Sequence, residues 1–237
     1  MKKTFYIFTF LLLITMAPAI AQKHFYVGVA GLLSTTWVTN QDIYGQAPLD
    51  YSFTTGYGGN LSIGYDFSNT IGLKTELGFG TLGQKYTKKI NDTSIRRQVK
   101  LNYLHVPLLL KVRAGGETAQ FYLLIGPEFS FLMSANQTYT KGGVPAPPFY
   151  NDEINDTIDV SKSDIKERFA SMDIFARLDL GADVYLIKNL FLNIGLTFDY
   201  GLMDINGSAW RVKDNDGNYN PSHNVYGGLN LGINYRF

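Results

Sequence analysis

Cysteine is absent. That excludes a disulfide scaffold, thiolate metal sites, iron–sulfur clusters, cysteine catalysis and a lipoprotein anchor. Charge is sparse: Asp, Glu, Lys and Arg make up 17% of the 237 residues, against a globular norm of about 25%. The formal net charge is +1, so there is no electrostatic case for a nucleic-acid partner. Histidine occurs three times, as His24, His105 and His223. No stretch approaches the length of apolar helix needed to span a bilayer. What is plentiful is aromatic residues (16 Phe, 16 Tyr, 2 Trp) and glycine, with 24. Mean hydropathy of −0.06 fits a soluble protein, but equally a membrane barrel, whose apolar half faces lipid and whose polar half faces inward.

The first 21 residues read as an export signal. Lys2 and Lys3 form a positive leader, Phe5–Met16 is apolar, and Ala19-Ile20-Ala21 is a small-x-small cleavage site. The apolar stretch is too short for a transmembrane anchor. The expected mature domain is residues 22–237, with charge 19 − 20 = −1 once Lys2 and Lys3 are removed.

The rest of the chain is patterned with a period of two. In the clearest segment Leu190, Leu192, Ile194, Leu196, Phe198 and Tyr200 share one face, while Asn193, Gly195, Thr197, Asp199 and Gly201 share the other. The same alternation runs through Val225–Phe237, Phe169–Leu186, Phe121–Met133, Ile71–Gly80 and Tyr57–Phe67. Two less regular strands, Phe25–Leu33 and Val99–Arg113, complete a set of eight. Connections alternate between short (68–70, 114–118, 187–189) and long (37–52, 85–96, 134–168, 204–222). All the long loops therefore lie at one end, which is the plan of an eight-stranded antiparallel up-and-down transmembrane barrel with long extracellular loops.

A soluble barrel of the lipocalin type has the same alternation turned inside out. Three features favour the membrane form. The polar face is rich in Gly, including Gly64, Gly72, Gly78, Gly126, Gly181 and Gly195, and small residues make room for large ones inside a narrow barrel. Aromatics gather toward strand ends, as interfacial girdles do. Finally, a tilted strand rises roughly 2.5 Å per residue along the axis, so an apolar band of about 25 Å needs about five outward residues. The strand from Leu190 supplies them.

The segments Leu101–Lys111 (LNYLHVPLLLK), Tyr122–Glu128 (YLLIGPE), Asp179–Ala182 (DLGA) and the terminal Tyr235-Arg236-Phe237 resemble the outer-membrane β-barrel domain family of Bacteroidota, the porin-family or PorT-like proteins. The resemblance covers the whole mature chain. It implies an integral barrel of the cell outer membrane, in contact with outer-membrane lipid and lipopolysaccharide. It is nearly silent on activity, because members differ most in their loops, although the PorT branch is linked to a secretion machine. The alternating last strand with its terminal aromatic also resembles the signal read by the barrel assembly machinery, which would involve Tyr235 and Phe237.

Candidate chemistry is thin. Gly78-Phe79-Gly80-Thr81-Leu82-Gly83 has dinucleotide-loop spacing, but it lies by a loop and no βαβ unit surrounds it, so inward barrel glycines are expected. Asp214-Asn215-Asp216-Gly217-Asn218 hints at a calcium loop without the required Gly and Glu positions. The acidic run Asp152, Glu153, Asp156, Asp159 and Asp164 reads as a solvated loop. His105 reads as a satisfied interior histidine. His223 sits beside Ser222, but adjacent strand residues face opposite ways, which argues against a triad. No catalytic residue, metal or cofactor is expected.

The most informative set is the inward ionisable residues: Asp66, Lys74, Glu76, Lys111, Arg113, Glu128, Asp173, Arg177, Asp179, Asp183, Asp199 and Arg236. Charges facing a narrow lumen must pair or be hydrated. Mixed signs point to a salt-bridged plug rather than a selective pore. The expected function is a non-enzymatic surface scaffold or accessory subunit of an envelope assembly, with a protein partner through loop 134–168. The alternatives are a small porin and a lipid-A-modifying barrel enzyme.

Overall fold

The computed structural model describes residues 24–39, 50–52, 54–151, 156–161, 163–211, 213 and 217–237. The leader at 1–21 lies outside the described residues, as do positions 40–49 of the first expected loop.

Eight long strands form the body: β1 (Phe25–Thr39), β2 (Thr55–Asp66), β3 (Ile71–Ile90), β4 (Thr93–Gly115), β5 (Ala119–Lys141), β6 (Met172–Ile187), β7 (Leu190–Gly201) and β8 (His223–Arg236). Each pairs antiparallel with its sequence neighbour, and β8 pairs with β1 from Tyr26↔Arg236 to Thr39↔His223. The eight strands therefore close on themselves in a ring. Both described chain ends and three short turns lie at one rim, and the other four connections, three long and one a two-residue turn, lie at the other.

The alternating side-chain pattern sets which face looks in. On β7, Phe191, Asn193, Thr197 and Asp199 are buried, while Ile194, Leu196, Phe198 and Tyr200 are exposed. The outer wall is apolar on every strand: Leu33, Leu61, Leu77, Leu108, Ile125, Leu180 and Leu231 all point outward. Leu33 is 62% exposed and Leu61 is 61% exposed, so the protein itself does not cover them. In water such a continuous face would drive association, whereas in hydrocarbon it is the buried face. At the turn end, aromatic rings cluster around the rim: Phe25 with Phe237 at 6.2 Å, Tyr65 with Phe67 at 5.3 Å, and Tyr235 with Phe237 at 5.4 Å.

Glycine fits the interior where a large ring crosses it. A Cβ on Gly64 would lie 2.0 Å from Tyr26 Cζ, and Cβ atoms on Gly181 or Gly195 would lie 2.3 Å from the Tyr122 hydroxyl. Two prolines interrupt the ladder, because proline has no N–H to donate. Regular β4–β5 pairing stops at Pro107↔Glu128 and resumes at Leu110↔Ile125, across the stretch that holds Pro127. The lipid-facing hydroxyl of Thr75 donates to the Pro107 carbonyl at 2.8 Å, so neither group is left unpaired in the wall.

Three connections differ from the sequence reading. The expected loop at 85–96 is instead a hairpin: β3 and β4 pair without a break to Ile90↔Thr93. Its tight turn places Asn91 and Asp92 at φ 44° and 63°, a left-handed pair that short polar side chains tolerate. The expected loop at 134–168 begins later, because β5 continues to Lys141 and its end pairs back with Val144–Pro145. Likewise β1 runs to Thr39, past the expected loop start at Trp37, and Asp50–Ser52 adds a short strand on β3. Above the apolar band both faces of these strands are polar or mixed, so hydrophobic alternation no longer marks them.

Candidate functional site

The inward faces build a stack of side chains from the turn end upward. At the turn end, Asp66 from the end of β2 takes two guanidinium groups. Arg113 Nη1 donates to it at 2.8 Å and Arg236 Nη2 at 3.0 Å. Arg113 also donates from Nε to the Asn69 carbonyl at 2.9 Å and from Nη2 to the Ser68 carbonyl at 3.0 Å. It therefore ties the short turn over the barrel mouth.

One tier up, Lys111 Nζ pairs with Asp183 at 2.5 Å. The ammonium sits among the rings of Tyr26, Tyr122 and Phe191, with centroids 5.1, 5.2 and 5.7 Å away. Asn193 Nδ2 donates to the second Asp183 oxygen at 3.0 Å. Aromatic faces attract a cation, so this box stabilises the Lys111 ammonium.

Arg177 is the hub of the middle tier. Its Nε and Nη2 donate to Asp179 at 3.1 and 3.0 Å in the fork geometry that guanidinium and carboxylate share. Nη1 lies 2.9 Å from Glu128 and 3.3 Å from Glu76. Glu76 also pairs with Lys74 at 2.6 Å. Glu128 is further held by His105 Nδ1 at 2.7 Å, by the Ser130 hydroxyl at 3.1 Å and by the Tyr226 hydroxyl at 3.1 Å. Thr197 donates toward Asp179 and lies 3.1 Å from Asp199.

Two of the inward acids carry no ion pair among the described residues. Asp173 accepts from Asn224 Nδ2 at 3.2 Å and from the backbone N–H groups of Ile174 and Met203. Asp199 rests on Thr197, and its other oxygen has no hydrogen-bond partner among the described residues. Of the acids on β6, Asp179 pairs with Arg177, Asp183 belongs to Lys111 and Asp173 to the loop-end rim, while Glu76 and Glu128 take the remaining Arg177 contacts. The hydroxyls and amides of Ser130, Asn193, Thr197, Asn224 and Tyr226, which complete the network, have no charge by which the sequence could single them out.

A cavity of about 30 Å³ adjoins the hub, lined by Glu76, His105, Glu128, Arg177, Tyr226 and Asn230 among others. That is room for about two water molecules. Above it the lumen turns apolar. Leu82, Val99, Leu101, Tyr103, Leu132 and Phe175 project from the strands and pack with Ile165, Phe169 and Ile205 from the loops. None of these is more than 6% exposed, so the loops plug the upper mouth.

The arrangement does not build a nucleophile relay. Ser130 and Glu128 both sit on the same His105 nitrogen, Nδ1, at 2.8 and 2.7 Å. A relay needs the hydroxyl and the acid on opposite nitrogens. His223 stacks on Tyr200 at 5.7 Å, while the Ser222 hydroxyl accepts from Asn206 at 3.0 Å, so the two do not form a pair. Gly78–Gly83 lies within β3 rather than by a loop.

Asp214, Asn215 and Asp216 of the calcium-like run, and Asp152 and Glu153 of the acidic run, lie outside the described residues. Asp159 and Asp164 accept from nearby backbone N–H groups at 2.9 and 3.1 Å. Among the described residues no group of three His, Asp or Glu is placed to hold a metal ion.

Residues 20–207 match the family described as outer membrane protein beta-barrel domain. Neisserial surface protein A is similar in structure at a TM-score of 0.44 and 13% identity, over 90% of this chain and 97% of its own. Outer membrane protein OprG from Pseudomonas aeruginosa is similar at 0.44 and 14%, over 91% and 96%. The attachment invasion locus protein Ail of Yersinia pestis is similar at 0.40 and 11%, over 90% and 99%. No curated protein matches the sequence. The closed eight-stranded ring, its uncovered apolar wall and a family match over most of the chain lead to one conclusion: this protein belongs to the outer membrane protein beta-barrel domain family.

Proposed function

We propose that this protein is a non-conducting, non-enzymatic barrel that serves as a surface scaffold or accessory subunit of an envelope assembly. The observation that supports this most is the filled lumen. The Asp66–Arg113–Arg236 clamp occupies one mouth, the Arg177 hub crosses the middle, and the plug around Phe169 and Ile205 fills the other mouth. The reading includes export by residues 1–21, a loop end that faces outward, and kinship with the Bacteroidota PorT-like proteins on the strength of the sequence resemblance. The protein partner docks on the segment within 134–168, the longest connection of the chain.

Planar-bilayer recording of the purified protein tests the closed lumen. The expected trace is flat, with at most brief events from loop motion. A reproducible ohmic conductance overturns the reading in favour of a small porin. Crosslinking in intact membranes tests the scaffold role. Shortening 146–160 should remove a specific adduct while leaving the barrel inserted, and an adduct pattern insensitive to that deletion excludes this segment as the docking site.

A further inference from the structure

The outer wall is not uniform around the loop-end rim. On β3, β4 and β5 the outward apolar series ends at Phe79, Leu104 and Met133. The next outward residues form a hydrogen-bonded row. Thr81 Oγ1 donates to Asn102 Oδ1 at 2.7 Å, and Asn102 Nδ2 donates to Ser134 Oγ at 2.8 Å. A row of satisfied polar groups across three strands marks where the hydrocarbon ends.

Above that row four of the outward positions of the β3–β4 hairpin are cationic. Lys85, Lys89, Arg96 and Lys100 alternate with the inward, buried Gln84, Tyr86, Arg97 and Val99. Register places Lys85 opposite Gln98, so Arg96 and Lys100 are its two diagonal neighbours on the same face. Diagonal neighbours stand about 7–8 Å apart, close enough for flexible side chains to converge on one anion. Lys89 is paired with Asp92 at 2.9 Å. Lys85, Arg96 and Lys100 have no ion pair among the described residues. Two acids stand on this flank: Asp50 lies opposite Thr87, and Asp164 bridges Asn136, the partner of Lys100. Along the same rows the neighbouring strands present Thr35, Thr55, Asn136 and Thr138, with no cation.

Lys100 lies four residues beyond Leu104, roughly 10 Å along the barrel axis at about 2.5 Å per residue. That is the depth of headgroups, not of acyl chains and not of bulk water. We propose that this flank binds the phosphate groups of outer-leaflet glycolipid, the lipid A phosphates, through Lys85, Arg96 and Lys100. The inference rests on the outer-membrane placement and on the loop end facing outward. It commits to a lipid headgroup rather than a soluble polyanion because the cations rise from the polar row that ends the apolar wall, with Lys100 the lowest of them. A lipid held there by its acyl chains on Phe79 and Leu104 brings its phosphates to them.

The test uses the full barrel in uncharged detergent, with purified bisphosphorylated lipid A as the probe and native mass spectrometry as the readout. The variant is Lys85→Gln, Arg96→Gln and Lys100→Gln together, with Lys188→Gln at the turn end as control. Losing three headgroup-facing cations should weaken lipid A binding roughly 100-fold. The control should bind as wild type, and wild-type binding should weaken as salt is raised. Dephosphorylated lipid A should bind wild type no better than it binds the triple variant. Each of three results overturns the proposal: equal lipid A affinity in the triple variant, equal wild-type affinity for the dephosphorylated form, or tighter binding of a soluble sulfated oligosaccharide than of lipid A. A preserved gel shift between unboiled and boiled triple variant separates this failure from failure of the barrel reading. If the triple variant does not fold, the wild-type comparison of the two lipid A forms decides alone.

Discussion

Replacing Arg177 by alanine removes one side chain and strands three acids. Arg177 is 5% exposed, and the side chains of Glu76, Glu128 and Asp179 are 1%, 0% and 5% exposed. Each keeps some company afterwards: Lys74 on Glu76, His105 and Tyr226 on Glu128, and Thr197 on Asp179. Removing one partner of a buried pair costs about 3–5 kcal/mol. Here the vacated guanidinium volume joins the cavity of about 30 Å³ beside it, and water entering that space lowers the penalty. We expect about 3 kcal/mol, at the low end of the range. For a chain of this size that is a fall in midpoint of roughly 6–12 °C. The measurement is the temperature at which the unboiled gel band converts to the unfolded band. Arg177→Lys should fall less, because it keeps the charge but loses the fork on Asp179. An unchanged midpoint in Arg177→Ala, with new ion conductance, would refute the plug and make the lumen a hydrated path.

Leu231→Arg places a charge on the outer wall at a position 59% exposed from the protein, and should cost about 2–4 kcal/mol if that position is near the bilayer midplane. Equal folding of this variant and wild type into vesicles would refute the placement of the wall in hydrocarbon. Deleting Phe237 should slow insertion by the assembly machinery more than it lowers the melting point. The terminal ring contributes at most about 1.5–3 kcal/mol of burial, whereas a recognition signal acts on rate. Normal insertion with a lower midpoint would make Phe237 an interface anchor alone. In the loop between β7 and β8, burial, and then the hydrogen bond it donates to Asp204, push the Tyr219 phenol up to about 12. The folded loop thus holds this proton more tightly than the unfolded chain. The stabilisation is complete below about pH 10, the ordinary tyrosine value, and is lost as pH rises through about 12. The ultraviolet difference between wild type and Tyr219→Phe should titrate near that upper value, and a midpoint at the ordinary value would refute the contact.

The barrel was legible in the sequence where the two faces differ. Leu192, Ile194 and Leu196 against Asn193, Gly195 and Thr197 can only be a strand with unlike sides, and eight such segments with alternating connections leave little choice of architecture. The signal faded above the membrane. Gln84, Tyr86 and Lys88 look inward and Lys85, Thr87 and Lys89 outward, and no contrast of hydropathy separates them, so a regular hairpin read as a loop. Inside, alternation assigns a charge to a face but does not say which charges meet. Partners depend on how far each strand is staggered against the next, and that stagger is set by turns and by the Pro107 and Pro127 interruptions, not by local pattern. Asp183 therefore meets Lys111 rather than Arg177, and Asp173 rests on an amide and two backbone groups.

The Asp66–Arg236 contact has a consequence for assembly. Arg236 is on the last strand and Asp66 on the second, and they come within 3.0 Å only because the first strand lies between them in a closed ring. In an open eight-stranded sheet these residues stand near opposite edges, and Asp66 keeps only Arg113. The ion pair is therefore a record of ring closure: it cannot form early, and once formed it holds the first and last strands together at the rim where the chain ends. Reversal must break the seam's ladder and this pair together, which makes closure behave as a latch whose release is slow even where its formation is fast.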